Sequence, residues 1–463
     1  MLDSSLIEKI LDTALGTGGD FSEVFVEDKK STSIKMIAGS VEKAISGRDF
    51  GVGIRIFKET NVIYAYTNEV KAENLLKITE EAARALDENS QKQAAGLKKQ
   101  EIKKCHPIKS YPYSRKQQEK VAIMRRASSA AQNYDSLIDQ VVVNYMDHEQ
   151  QVLIANSEGL LTEDERVRTR LAVNAVATRD GEKQTGYFAP GAHQGFEFFD
   201  TIDVEETARE AARTAVTMVK ADYLPGGRMP VVINNSFGGV IFHEACGHSL
   251  EATSVAKNTS VFAGKMDQQI ASKKVTAIDD GTIEGAWGSQ NIDDEGNPTR
   301  KNVLIEKGIL KNYLVDRLNS RRMDMEPNGA GRRQSYKYAP TSRMSNTYIA
   351  AGESDPEDII SATDKGLYAK YMGGGSVDPA TGEFNFNVRE GYLIENGSLK
   401  KPVRGATLIG KGEEILKKID MVGNDLDYGQ GMCGSISGSV PTNVGQPTIR
   451  VSELTVGGRK GQK

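Results

Sequence analysis

An α+β fold in two parts is predicted: an N-terminal α+β domain of antiparallel strands and helices over residues 1–224, and a C-terminal β-rich domain over residues 225–463. Three observations predict it. Helical and hairpin patterns in the first half fall in separate blocks instead of the strict strand–helix alternation of a doubly wound sheet. Leu224-Pro225-Gly226-Gly227 then breaks the chain, and beyond about residue 260 long helical periods give way to short strand-like segments with frequent glycine. A length of 463 residues fits two, at most three, packed units with ample core.

Each element has its own signal. Leu6, Ile7, Ile10, Leu11, Ala14 and Leu15 share one helical face, which predicts a helix over 3–15. Alternating segments at 23–27, 33–37, 51–57 and 61–67, divided by glycine turns, read as an antiparallel meander. Leu75, Ile78, Ala82, Ala83 and Leu86 predict a second helix over 71–87. Residues 91–113, rich in Lys and Gln and containing Pro107 and Pro112, read as a surface connection. A helix over 115–133, strands near 139–156 and 165–178, and a helix over 203–220 complete the first half. The second half offers strands at 229–234, 275–278, 301–306, 308–315, 348–350, 384–395, 448–451 and 454–456, without a fixed-period repeat.

Composition excludes several classes of function. The net charge is −4, with 59 basic and 63 acidic residues interspersed, so there is no electrostatic case for nucleic acid or a membrane surface. Three scattered cysteines fit a reducing compartment better than a disulfide framework. The first residues form an amphipathic pattern unlike a signal peptide, and no apolar run approaches a membrane span, which predicts a cytoplasmic protein.

The most informative passage is His243-Glu244-Ala245-Cys246-Gly247-His248, which holds two of the chain's five histidines around a carboxylate. The usual zinc-protease helix spaces its histidines at i, i+4, about 40° apart; here they stand at i, i+5, about 140° apart on a regular helix. One π-type turn absorbs about 100° and returns both rings to one face with Glu244 beside them, a distortion that Gly247 suits. Cys246 then points away and reads as a small buried residue. Asn235-Ser236 offers an N-cap, and Phe237, Val240 and Ile241 seat the segment on a core.

A catalytic zinc usually takes three protein ligands, so a third is required. A downstream Asp or Glu, His193 and Cys433 are all open on residue type. Cys433, in Gly431-Met432-Cys433-Gly434, is favoured because its glycine neighbours permit close approach and a thiolate offsets the ion's charge.

These residues resemble the TldD/PmbA family of metallopeptidases, in its metal-bearing TldD branch, and the resemblance covers most of the chain. It is carried by the hexapeptide at 243–248, by Gly429–Gly434 with Cys433, and by the tail from Val440 through Gln446-Pro447-Thr448 to Gly458, with Gly19–Val24 and Gly373–Asp378 also familial. It implies His243, His248 and Cys433 as zinc ligands and Glu244 as general base. It also implies a large dimer interface, formed with a second copy or with a PmbA-like homologue that lacks the ligands, and an unfolded or extended polypeptide substrate lying as an added strand near the zinc.

The chemistry expected is hydrolysis of peptide bonds. Zinc on two neutral imidazoles and one thiolate keeps enough positive charge to bring a bound water's pKa toward neutrality, and Glu244 takes the proton and passes it to the leaving amine. Gly373, Gly374 and Gly375 are candidates for backbone donors to the peptide, against an alternative reading as a hairpin turn or loop. Two rivals compete: a zinc-containing protein that binds peptides without cutting them, and a cysteine hydrolase using Cys433 with a histidine base. Gly405–Lys411 approaches a phosphate loop but has Gly412 where Ser or Thr is needed, and Gly51-Val52-Gly53 lacks a dinucleotide fingerprint's third glycine.

Overall fold

The computed structural model describes residues 1–86, 92–378 and 381–459. Residues 87 and 91, at the ends of two segments read from the sequence, lie outside these. Strands dominate, and the α+β class predicted is the class observed.

The first half is a sheet with helices on one face. Its long strands are β1 (Phe21–Ile37), β2 (Ser40–Lys58), β3 (Asn61–Thr67), β4 (Ile138–Asn156), β5 (Leu160–Arg179) and β6 (Glu182–Phe188). They run in the order β3-β2-β1-β4-β5-β6, antiparallel throughout. The segments expected at 23–27 and 33–37 are one continuous strand, because both continue the same pleat against β2 and β4.

Alternation along β1 sorts its residues to two faces. Val24, Val26, Ile34 and Met36 point to one side. There they meet the helices α1 (Ser4–Leu15), α2 (Ala72–Arg84), α3 (Gln117–Gln132) and α4 (Val204–Lys220). Asp3 and Asp203 cap α1 and α4 through their side chains.

The opposite face is buried yet charged, and it meets the second half of the chain. Arg55 pairs with Glu23 and with Glu295, each at 2.7 Å, and Arg333 reaches Glu23 at 2.6 Å. Burial would raise the Glu23 carboxyl, but Arg55 and Arg333 hold it below its ordinary range. From β5, alternate residues cross to the second half: Arg166 to Asp294, Arg168 to the carbonyls of Trp287 and Ser289, and Arg170 to the carbonyl of Gln430.

Among the described residues the second half holds two large sheets and a two-stranded one that pairs Gly331–Arg332 with Thr341–Ser342. Strand β7 (Gly227–Ile233) leads into the histidine segment; β8 (Ala277–Asp280), β9 (Lys301–Glu306) and β10 (Asn346–Ile349) follow. Next come β11 (Lys365–Val377), β12 (Glu383–Glu395), β13 (Thr407–Lys411), β14 (Asp427–Ser435), β15 (Gly438–Gln446) and β16 (Ile449–Gly457). The order β11-β7-β16-β13-β12 returns to β11, so these five strands close into a barrel. The order β9-β8-β10-β15-β14 forms the other sheet, with β14 outermost.

Several expectations change here. Of 308–315 only Ile309–Leu310 is strand, while β14 and β15 arise where no strand was expected. Their glycines and prolines obscure a hydrophobic period that register with β10 supplies instead. The segments at 448–451 and 454–456 are one strand, β16.

Breaking a buried ion pair from one side strands the other charge, which costs about 3–5 kcal/mol. Arg55→Leu is therefore expected to lower the free energy of unfolding by about that amount in urea titrations followed by circular dichroism. An unchanged midpoint would show that the charged interface contributes little.

Candidate metal site

The segment after β7 is built from four short turns of three kinds. Ser236–Gly239 is 3₁₀, Val240–Phe242 is α-helical, His243–Gly247 is a π turn, and His248–Leu250 is again 3₁₀. The π turn lies where the spacing of the two histidines calls for one extra residue per turn. Asn235 occupies the N-cap but does not cap through its side chain, which donates instead to the carbonyl of Asp425 at 2.8 Å.

Gly247 is needed for packing, its backbone lying in the ordinary right-handed helical region. A Cβ built there would stand 2.2 Å from Met344 Sδ, a clash that no buried methionine next to the turn could absorb without moving. Ala245 and Cys246 point into the core, fully buried, with the Cys246 thiol 3.8 Å from the Gly412 carbonyl and its pKa pushed up by burial.

The two rings point the other way, toward β14. Their centroids are 5.1 Å apart, nearly perpendicular, and Cys433 Sγ lies 3.3 Å from the Nε2 atom of each. One donor atom from each of His243, His248 and Cys433 falls within 4.8 Å of the others. Tetrahedral zinc bonds to nitrogen at about 2.0–2.1 Å and to sulfur at about 2.3 Å, which sets N and S donors roughly 3.5 Å apart. The side chains thus stand close to the spacing such an ion requires, and two imidazoles with a thiolate are a donor set that suits it.

Neighbours hold the three groups in place. Glu251 accepts from His248 Nδ1 at 3.1 Å, which turns Nε2 toward the sulfur. Glu251 in turn lies 3.9 Å from Arg343, whose guanidinium donates to the carbonyls of Cys433 and Gly438 and to Ser437 Oγ. Arg170 and Trp287 Nε1 hold the carbonyls of Gln430 and Gly431, on the same strand just before Cys433. The backbone of β14 is therefore held at Cys433 and at two residues shortly before it.

Electrostatics favour a thiolate. Burial alone would raise the Cys433 thiol, but the charges and hydrogen bonds of His243 and His248 bring it down to about 3. For His248 burial opposes protonation, yet Glu251 and Cys433 outweigh it and carry the imidazole well above its ordinary pKa.

Glu244 sits on the open side of the cluster, its side chain 27% exposed and its Oε2 3.7 Å from His248 Nε2. His193 is elsewhere, stacked on His106 at 4.4 Å and bonded to the Ser289 carbonyl, so it is not brought to the cluster. Gly373, Gly374 and Gly375 lie within β11, where the sequence left a turn or loop as the alternative. The register slips between Met372 and Gly375, a bulge that leaves Gly374 exposed with open space where a Cβ would stand. Glu251 and Arg343 were not singled out from the sequence. Glu251 follows His248 by one helical turn and carries that faint signal, whereas Arg343 carries none.

Residues 226–458 match the PmbA/TldA metallopeptidase C-terminal domain, 110–219 its central domain and 22–86 its domain 1. The metalloprotease TldD homolog of Haemophilus influenzae is 35% identical over 99% of this chain and 97% of its own. The metalloprotease TldD homolog of Buchnera aphidicola subsp. Schizaphis graminum is 35% identical over 95% and 93%. The crystal structure of TldE from Thermococcus kodakarensis superposes with a TM-score of 0.78 at 19% identity, covering 97% of this chain and 99% of that one, and so shares the fold. With profiles matching along its length and relatives at 35% identity, the chain belongs to the PmbA/TldD family of metallopeptidases.

Proposed function

We propose that this chain is a zinc-dependent peptidase that hydrolyses peptide bonds in unfolded or extended polypeptides. The single observation that carries the proposal is the meeting of His243, His248 and Cys433 within 4.8 Å, beside a carboxylate that is itself outside the ligand set. His243, His248 and Cys433 would hold the zinc, which when bound would supply Lewis-acid polarisation. Glu244 accepts the proton from the attacking water and delivers it to the leaving amine, for which its partly open position beside His248 is suited. Glu251 keeps His248 in the tautomer that offers Nε2.

An extended peptide needs a free sheet edge to pair with. On β14 the carbonyls of Gln430 and Gly431 are already taken by Arg170 and Trp287, so that edge is partly closed. Strand β11 pairs with β7 only as far as Ala369, and beyond it no strand among the described residues pairs on that side. Gly373, Gly374 and Gly375 fall on this free stretch, and in our proposal their backbone receives the peptide. Pairing through backbone demands an unfolded segment and reads little of its sequence. The proposal includes assembly with a second copy or a PmbA-like homologue, and a cytoplasmic setting. Among the described residues no helix is long and apolar enough to cross a membrane, and all three cysteines are free.

The direct test is digestion of a random-coil peptide and of a compact folded protein, each with and without a chelator. Chelator-sensitive cutting of the peptide alone is expected. Equal cutting of both substrates would contradict the sheet-edge mode, and cutting that persists without metal would favour Cys433 as nucleophile. Glu244→Gln is expected to keep one zinc per chain while losing nearly all turnover, and Cys433→Ala to lose the metal, both by elemental analysis. Glu251→Ala is expected to weaken zinc binding about 10–100-fold in competition with a chromophoric chelator. Unchanged affinity would assign His248's orientation to other contacts.

A further inference from the structure

A cavity of about 220 Å³ lies between the first sheet and the hairpin of β14 and β15. Its walls include Lys29, His148, Arg166, Arg168, Arg332 and Arg333, and among the described residues no Asp or Glu lines it. Burial and the neighbouring cations keep His148 neutral, and of the lysine and four arginines two are already matched: Arg166 by Asp164 and Asp294, and Arg333 by Glu23. The others are not. Arg168 donates to the carbonyls of Trp287 and Ser289, and Arg332 to those of Met344 and Pro441. Neither these two nor Lys29 has a carboxylate within ion-pair distance among the described residues. Nearby Glu27 is engaged by Gln150 and the Tyr336 amide.

Burying several like charges without carboxylates in direct contact is costly unless something else neutralises them, and Asp164, Asp279 and Asp294 offset Arg168 and Arg332 only from a distance, too weakly to outweigh burial. Arg168 and Arg332 are each only 2% exposed. Burial, together with repulsion from Arg332 and Arg166, brings the Arg168 guanidinium down to about 9. Burial also brings Arg332 down to about 10. Carbonyl partners orient a guanidinium but do not cancel its charge. The room, the sign of the walls and the absence of acids all match one kind of guest, a small anion.

The cavity shares a wall with the metal cluster. Val440, which lines it, is the register partner of Cys433 across the hairpin, and Met432, the residue before Cys433, lines it too. We propose that this cavity binds a carboxylate of the peptide substrate, its C-terminal group or an acidic side chain. The proposal rests on the peptidase reading of the neighbouring site. Arg168 and Arg332 form the floor, and Lys29 closes the ion pair from β1. Peptides carrying a carboxylate at that point of the cleft are then held more tightly than neutral ones.

The test uses the full-length, zinc-loaded chain as Glu244→Gln, so that peptide is bound without turnover. Fluorescence anisotropy compares one labelled unstructured peptide as free acid, as C-terminal amide, and as the amide with an internal Glu. The free acid or the Glu-bearing amide is expected to bind about tenfold more tightly than the neutral amide, the scale of one charge-assisted hydrogen bond. Whichever gains identifies the source of the carboxylate. Lys29→Met, which strands no ion-pair partner, is expected to erase the difference, and Lys29→Arg to restore it. Equal binding of all three peptides, or a preference that survives Lys29→Met, would overturn the proposal. If no peptide binds, the peptidase reading fails, and calorimetry with succinate then decides the cavity alone: saturable binding lost in Lys29→Met supports an anion site, and no binding refutes it.

Discussion

The contact between one sulfur atom and two imidazoles is the interaction around which the second half of the chain is arranged. It needs the rings of His243 and His248 on one side of their segment, which a regular helix with four residues between them does not provide. The π turn at His243–Gly247 provides it, and Gly247 lets that turn lie against Met344. A second requirement is that β14 hold Cys433 opposite the turn. Arg343, Arg170 and Trp287 meet it by holding the backbone carbonyls of Cys433, Gln430 and Gly431.

Arg170 comes from β5 in the first half, so the N-terminal sheet takes part in the site without supplying a donor atom. Its buried face is charged for the same reason. An apolar interface would join the halves, but Arg55, Arg166, Arg168 and Arg333 also fix their register, because each guanidinium accepts only a narrow set of partner directions. Mispairing by one residue along β5 would carry Arg166, Arg168 and Arg170 to the helical face and leave Asp294 without its partner.

Much of this was legible in the sequence, and the reasons differ by residue. The amphipathic helices and the strands of the first half show themselves through period, since one face of each is buried. The π turn was readable because His243 and His248 set a geometric demand that local spacing alone expresses. Cys433 was readable as a donor by residue type and glycine context, but its distance from the histidines depends on the β14–β15 hairpin, whose glycine-rich strands carry little pattern. Glu251 and Arg343 act through other residues, and no local rule marks an arginine that will hold a distant carbonyl. Gly373–Gly375 looked like a turn because glycine favours turns, yet pairing with β12 overrides that preference and yields a bulged strand.

X-ray absorption at the zinc edge tests the central claim most directly, since it reports the atoms around the ion and their distances. The account predicts one sulfur at about 2.3 Å with imidazole nitrogens at about 2.0–2.1 Å, and loss of the sulfur shell in Cys433→Ser. A spectrum of nitrogen and oxygen alone in the unaltered chain, or a sulfur shell that persists in Cys433→Ser, would contradict it.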